Sequence, residues 1–151
     1  MTSSASKGAP REEGQITVLI VGFVLLALLL ASVVMAASAV YLEHKKLLSL
    51  ADGAALAAVD SYTVGDIGGG NLPSTSLVDA RVLAAANSYL QAISASSRHD
   101  HLSVAGGTGS EPGGTAVVVL TAVVHPPVVS FLLPDGILIE AKATARSRLI
   151  Q

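Results

Sequence analysis

Residues 15–42 contain no charged side chain, and this constrains the fold more than any other feature of the chain. As an α-helix the stretch would be about 40 Å long, whereas the hydrocarbon core of a bilayer is about 30 Å thick. A core helix of a soluble protein would carry polar residues every third or fourth position, but after the first residue only Thr17, Ser32 and Ser38 are polar. The stretch therefore predicts a transmembrane helix over residues 15–42.

The segment before this stretch, residues 1–14, is small, polar and mixed in charge. Such a composition buries too little apolar surface to offset the entropy of ordering, so we expect a disordered tail. Within the stretch, Ala37, Ser38 and Ala39 have the small-x-small form of a signal-peptidase site, and cleavage near Ala39 would release a small secreted protein. The apolar run is nearly twice as long as the usual signal sequence, which favours a retained single-pass anchor.

Charge does not assign an orientation to this anchor. Lys7 and Arg11 precede the stretch, and Lys45 and Lys46 follow it, so the positive-inside rule gives nearly equal counts on the two flanks. The whole chain has a formal net charge of -2 and no basic block. Because nucleic-acid binding depends on clustered Lys and Arg, a nucleic-acid partner is not expected.

A second helical pattern continues directly from the first, because residues 43–60 keep helical spacing and contain no proline. One side of this predicted juxtamembrane helix is polar, with Lys45, Ser49 and Asp52 on it. We expect the apolar side to be a packing surface for another subunit, and the alternative is that it packs on the protein's own sheet. The apolar side consists of Leu47, Leu50, Ala51, Ala54 and Ala58.

The order of motifs in this region resembles a known family. Glu13, Gly14 and Gln15 precede the long apolar run, a charged turn with Tyr41 follows it, and the sequence ADGAALAA occupies residues 51–58. This arrangement is similar to that of the TadE/TadG-like proteins of the tight-adherence (Flp) pilus assembly system. The residues that match the family motif are Gly14, Gln15, Ala51, Asp52, Ala54, Ala55, Leu56 and Ala57.

The resemblance implies a membrane-anchored accessory or minor pilin-like component that acts by protein–protein packing. It also implies a cell-membrane location with the C-terminal domain outside the cytoplasm. The partners would be the lipid bilayer and other pilus-assembly or pilin-like proteins. A membrane-tethered binding domain unrelated to pili is a further alternative, alongside the secreted protein.

Residues 61–151 predict a small α+β domain, which the resemblance places outside the cytoplasm. Tyr62–Thr75 is rich in glycine and reads as a surface loop. Ser76 and Asp79 have the spacing of a capping box, which predicts a helix that reaches about Ser96. The buried stripe of this helix is expected to consist of Val78, Val82, Ala85, Tyr89 and Ile93.

The rest of the domain has strand patterns. A short strand is expected near Leu102–Ala105, followed by a flexible loop over Gly106–Gly114, and Thr115–Val124 is apolar enough for a central strand. From Ile137 onward, apolar and polar residues alternate as in a strand with one wet face. The predicted fold is α+β: a long N-terminal transmembrane helix continues into a small pilin-like domain with one further helix and a small antiparallel sheet of about three strands.

The connection between the last two strands, Val128–Leu133, is unusually apolar. We expect it to cover the small core, and the alternative is that it contacts the membrane or a partner.

No catalytic or cofactor-binding residues are predicted, and no small-molecule substrate is evident. The glycine-rich sequence GDIGGGN lacks the Gly-Lys-Ser/Thr of a phosphate-binding loop. His99 and His101 have an HxH spacing, and His125 follows later, but no further ligand is placed beside them, so a solvated cluster is favoured over a metal site. We therefore expect a binding protein without cofactor or metal, and not an enzyme.

Overall fold

The largest element of the fold is a single helix of 55 residues, α1, which covers Glu12–Asp66. The computed structural model describes residues 12–66, 75–127, 129–131 and 133–146. At 1.5 Å per residue α1 is about 80 Å long, and it passes through the predicted membrane boundary at Leu42 without a break. Its N-terminal half is exposed, and its C-terminal half packs against the rest of the chain.

The helix extends beyond both of its expected ends. It includes Glu12–Gly14, which were assigned to the disordered tail, and residues 62–66, which were assigned to the surface loop. Both assignments are wrong at these positions, because no proline interrupts the helix over residues 12–66. Residues 1–11 of the tail and 67–74 of the loop lie outside the described part of the chain.

The second helix, α2, covers Thr75–Ala92 and packs on α1. It ends four residues earlier than predicted because Ser94 adopts a left-handed conformation with φ 51°, after which Ala95–Ser97 form one 3₁₀ turn. The centre of its buried face is Val82, Ala86 and Leu90. Of the predicted stripe Val82 is buried, whereas Ala85, Tyr89 and Ile93 lie half-buried at its edge, and the side chain of Val78 is outside the described residues.

Four antiparallel strands form the sheet. They are β1 (Asp100–Val104), β2 (Gly109–Glu111), β3 (Thr115–Val124) and β4 (Ile137–Arg146). β3 is central, as predicted: β4 pairs with its whole length, from Thr115↔Arg146 to Val124↔Ile137. β1 and β2 lie end to end along the other edge of β3.

The strand β2 corrects the prediction of a flexible loop over Gly106–Gly114. Its sequence, Gly-Ser-Glu, has no apolar pattern to mark it as a strand. Backbone pairing with β3 places it, and the Asp79 carboxylate on α2 accepts hydrogen bonds from the Ser110 N–H at 2.6 Å and from the Ser110 hydroxyl at 2.9 Å. Asp79 therefore joins α2 to the sheet edge.

The core lies between the two helices and one face of the sheet. On β4 the predicted alternation is confirmed, since Ala141 and Ala143 are buried and Lys142 and Thr144 are exposed. The same inner face of β3 carries buried residues at every second position, and α1 and α2 cover it. The core residues contributed by β3 are Ala116, Val118, Leu120, Ala122 and Val124.

In the connection between β3 and β4, Pro126 is fully buried, but the apolar side chains described further along do not cover the core. The side chain of Phe131, in a 3₁₀ turn over Val129–Phe131, is 94% exposed, and that of Leu133 is 47% exposed. The expectation that this segment covers the core is therefore wrong for Phe131 and Leu133. Val128, Leu132 and the side chain of Val129 lie outside the described part of the chain. A turn closes the connection where the Gly136 N–H donates to the Leu133 carbonyl at 3.2 Å.

Candidate membrane-anchoring and assembly surface

The N-terminal half of α1 presents apolar side chains on all sides and is long and apolar enough to cross a membrane. The most apolar 18-residue window of the helix buries none of its residues within the protein. Its serine hydroxyls are satisfied inside the helix: Ser32 Oγ donates to the Leu28 carbonyl at 2.8 Å and Ser38 Oγ to the Val34 carbonyl at 2.9 Å. Hydroxyls bonded in this way are compatible with lipid, because they leave no unpaired donor in an apolar medium.

Beyond the charged turn, the apolar side of α1 is covered by the chain itself. Leu47, Ala51, Ala54 and Ala58 are fully buried, and Leu50 is half-buried against the same core. The cover comes from α2, β3 and β4. The expectation that this side packs against another subunit is thus corrected in favour of its alternative, because the inner faces of the sheet and of α2 are packed on it.

The residues of the family motif divide into two groups in the structure. Ala51, Ala54 and Ala55 are buried, and Ala57 is half-buried, so the alanines build the core. The side chains of Asp52 and Leu56 are exposed on the opposite side of the helix, one turn apart. Leu56 is 60% exposed although it is a large apolar residue. Gly14 and Gln15 lie exposed near the N-terminal end of α1.

One residue inside the motif region has a packing role that sequence reasoning missed. Gly53 is in the interior of α1, where glycine costs about 1 kcal/mol relative to alanine. The phenol ring of Tyr89 on α2 lies so close that a methyl group built on Gly53 would overlap its hydroxyl and ring carbon. Glycine at this position therefore permits the close approach of the two helices. The sequence signal for this contact was a glycine within a run of good helix formers.

A polar cluster connects α1 to the sheet at the level of the charged turn. Glu43 accepts from Lys46 Nζ at 2.7 Å and lies 3.4 Å from Nδ1 of His99, whose side chain is only 7% exposed. His125 Nδ1 is 3.3 Å from Asp100 Oδ2. A cavity of about 260 Å³ is lined by Glu43, His99, Asp100, His125 and their neighbours.

The histidines in this cluster act as contacts between elements. The HxH pair does not share a strand face, because a bulge between Asp100 and Ser103 interrupts β1 and His101 has φ 52° there. Among the described residues, His, Asp and Glu side chains form no group of three or more that could hold a metal ion. This arrangement provides one side-chain contact between α1 and the start of the sheet, Glu43 with His99, and a second contact, His125 with Asp100, between the ends of β3 and β1.

A comparison with known protein families finds a match for the N-terminal part of the chain. The family model described as Flp pilus-assembly TadE/G-like matches residues 14–61, which include the exposed apolar half of α1 and the alanine-rich inner face. No curated protein and no solved structure matches the chain. The resemblance seen in the sequence is thereby confirmed over residues 14–61, which are similar to the TadE/G-like proteins of Flp pilus assembly.

Proposed function

We propose that the protein is a membrane-anchored accessory or minor pilin-like component of Flp pilus assembly that acts by binding other proteins and not by catalysis. The observation that carries this proposal is the division of α1. One helix presents an exposed apolar half without charges and then, without a break, contributes the inner face of a folded domain. A component built in this way holds its domain at a fixed position on the membrane.

Retention of the anchor is supported by the packing around Ala39. The helix is continuous through the small-x-small tripeptide, and Val40, immediately after it, packs against the core. Cleavage near Ala39 would therefore cut next to a core contact. The mass of the mature N-terminus measures this directly, and a chain that begins after Ala39 would favour the secreted alternative.

We further propose that the C-terminal domain is extracytoplasmic, as the family resemblance implies. Protease added to intact spheroplasts should then remove a C-terminal tag. A tag that is protected until the membrane is permeabilised would show the opposite orientation. A cytoplasmic protein monitored in the same sample controls for lysis.

The outward pair Asp52 and Leu56 is the proposed contact with other assembly components. The alanines of the motif are occupied in the protein's own core, so they are not free to bind a partner. Leu56 keeps a large apolar surface in contact with solvent, and covering such a side chain contributes about 1.5–3 kcal/mol to an association. The carboxylate of Asp52 beside it would give the contact polar specificity.

The substitution Leu56→Glu tests this surface. Because Leu56 is exposed and Glu is a good helix former, the variant should fold and enter the membrane normally. It should lose co-purification with other pilus-assembly components. Leu83→Glu is the matched control, because Leu83 is 42% exposed on α2 and receives the same change. Equal co-purification of both variants with the unmodified protein would contradict the assignment of Leu56.

A further inference from the structure

Along the axis of α1, the surfaces of α1 and of the last strand, β4, change from apolar to polar at the same height, which is called the polar boundary level here. On α1 the charge-free stretch ends at Leu42, and charged residues follow from Glu43 onward. On β4 the outward-facing residue Leu138 is 70% exposed, and the next outward-facing position is Glu140. Nε2 of His44 lies 3.1 Å from the backbone carbonyl oxygen of Glu140, so the two transitions are directly adjacent.

On the apolar side of the polar boundary level, the protein has exposed apolar side chains outside α1 as well. In sequence, residues 126–139 carry a single charged residue, Asp135, and within this range Pro126 and Ile139 are buried. Phe131 is almost fully exposed and Leu133 about half exposed. These side chains belong to the same end of the domain as Leu138, where α1 enters it.

A cavity shows how far along α1 the start of β4 lies. It measures about 610 Å³ and is lined by Val33, Ala37 and Val40 from α1 and by Ile137 and Ile139 from β4. The start of β4 therefore lies beside the last turns of the charge-free stretch. Its lining is apolar, as expected for a surface that does not face bulk water.

The depth of this region follows from helix geometry. About 20 residues of helix cross the hydrocarbon core of a bilayer, and counted from Ile16 they end near Met35. The turns from Met35 to Leu42 then lie where hydrocarbon meets the headgroups. Since the start of β4 lies beside these turns, the connection that precedes it reaches the same depth.

We propose that the β3–β4 connection, with Phe131 at its centre, inserts into the headgroup region of the bilayer that α1 spans. The proposal rests on the membrane anchoring in the proposed function. The occupant of this surface is lipid, because the surface is continuous with the exposed apolar half of α1 and ends where both elements become charged. Exposed Phe and Leu side chains favour burial at the boundary between headgroups and acyl chains. With two contacts, the domain has a fixed rotation about α1 relative to the membrane.

Tryptophan fluorescence tests the insertion, because the chain has no tryptophan of its own. Three single-probe variants of the full chain are reconstituted in phosphatidylcholine vesicles: Phe131→Trp, Phe23→Trp in the apolar half of α1, and Thr144→Trp on the wet face of β4. Phe131 and Thr144 are exposed, so their replacement leaves the core unchanged. Emission is measured with ordinary lipid and with lipid brominated near the headgroup end of its acyl chains, a contact quencher.

The probe at 131 should emit at shorter wavelength than the probe at 144 and should lose most of its emission in brominated lipid, while the probe at 144 loses almost none. If brominated lipid quenches the emission of the probe at 23 but not that of the probe at 131, the insertion is overturned and the anchoring stays intact. No loss at either 23 or 131 would refute the anchoring and, with it, this proposal. A short-wavelength emission at 131 without loss in brominated lipid would mean that protein covers Phe131, which also overturns the proposal.

Discussion

Adjacent residues on β4 should respond very differently to the same substitution. Ala143 is 4% exposed and lies opposite the fully buried Val118, whereas Thr144 is exposed on the other face of the sheet. We expect Ala143→Asp to destabilise the domain severely and Thr144→Asp to have little effect. The two substituted positions are adjacent in sequence, but their side chains lie on opposite faces of the sheet.

The magnitude follows from the surroundings of Ala143. The core cluster around Ala143 consists of hydrophobic residues, so a carboxylate placed in this core has no ready partner. An unpaired buried charge costs about 3–5 kcal/mol, against a total stability of about 5–15 kcal/mol for a typical domain. At Thr144 the cost is the lower strand propensity of Asp, at most about 1 kcal/mol. The expected difference between the variants is therefore about 2–4 kcal/mol.

Thermal unfolding of the full chain in detergent micelles, followed by circular dichroism, measures this difference. For a domain of this size, about 1 kcal/mol shifts the Tm by about 4–8 °C, so the two variants should differ by more than about 8 °C. Ala143→Asn separates the effect of charge from that of size and polarity, and it should lie between the two. Equal Tm values for the variants at 143 and 144 would refute the strand register on which the reasoning rests.

Two further predictions concern contacts between elements. Gly53→Ala should destabilise the unmodified protein by about 1 kcal/mol or more, because the added methyl group overlaps Tyr89. In a Tyr89→Ala background the same substitution should stabilise the protein by up to about 1 kcal/mol through helix propensity. A double-mutant cycle followed by urea unfolding measures both effects. Asp79→Ala should remove about 1.5–3 kcal/mol of hydrogen bonding to Ser110 and speed amide exchange in β2, whereas Asp79→Asn, which keeps one acceptor oxygen, should lose less.

The parts of the fold in which many residues are either exposed or buried together were predictable from the sequence. The charge-free stretch specified an exposed apolar helix, the alternation after Ile137 specified the two faces of β4, and the apolar run Thr115–Val124 specified a central strand. In each case many consecutive side chains either share the same surroundings or, as on β4, alternate between two. A repeated pattern leaves a clear signal in the sequence.

Features that depend on one specific distant contact were not predictable. The strand β2 is placed by backbone pairing and by Asp79, which is 31 residues from Ser110 in sequence. Gly53 is explained only by the position of Tyr89 on another helix. The apolar pattern of residues 43–60 showed that one side of α1 would be covered, but a pattern of this kind does not distinguish the chain's own sheet from a partner. For the same reason, the apolar connection near Phe131 did not reveal what covers it.

The alanine-rich inner face of α1 restricts where this protein can bind others. An alanine side chain contributes little apolar area, so the core depends on the few larger residues that alanine allows to approach, among them Leu47, Val82 and Leu120. The sheet cannot leave α1 without exposing this core, and the described helix has no hinge between its exposed and packed halves. Displacement of the domain to free the inner face would therefore cost much of the folding energy. Any contact with another protein must therefore use surfaces that are already exposed, among them the apolar half of α1, the outward pair Asp52 and Leu56, and the outer face of β4.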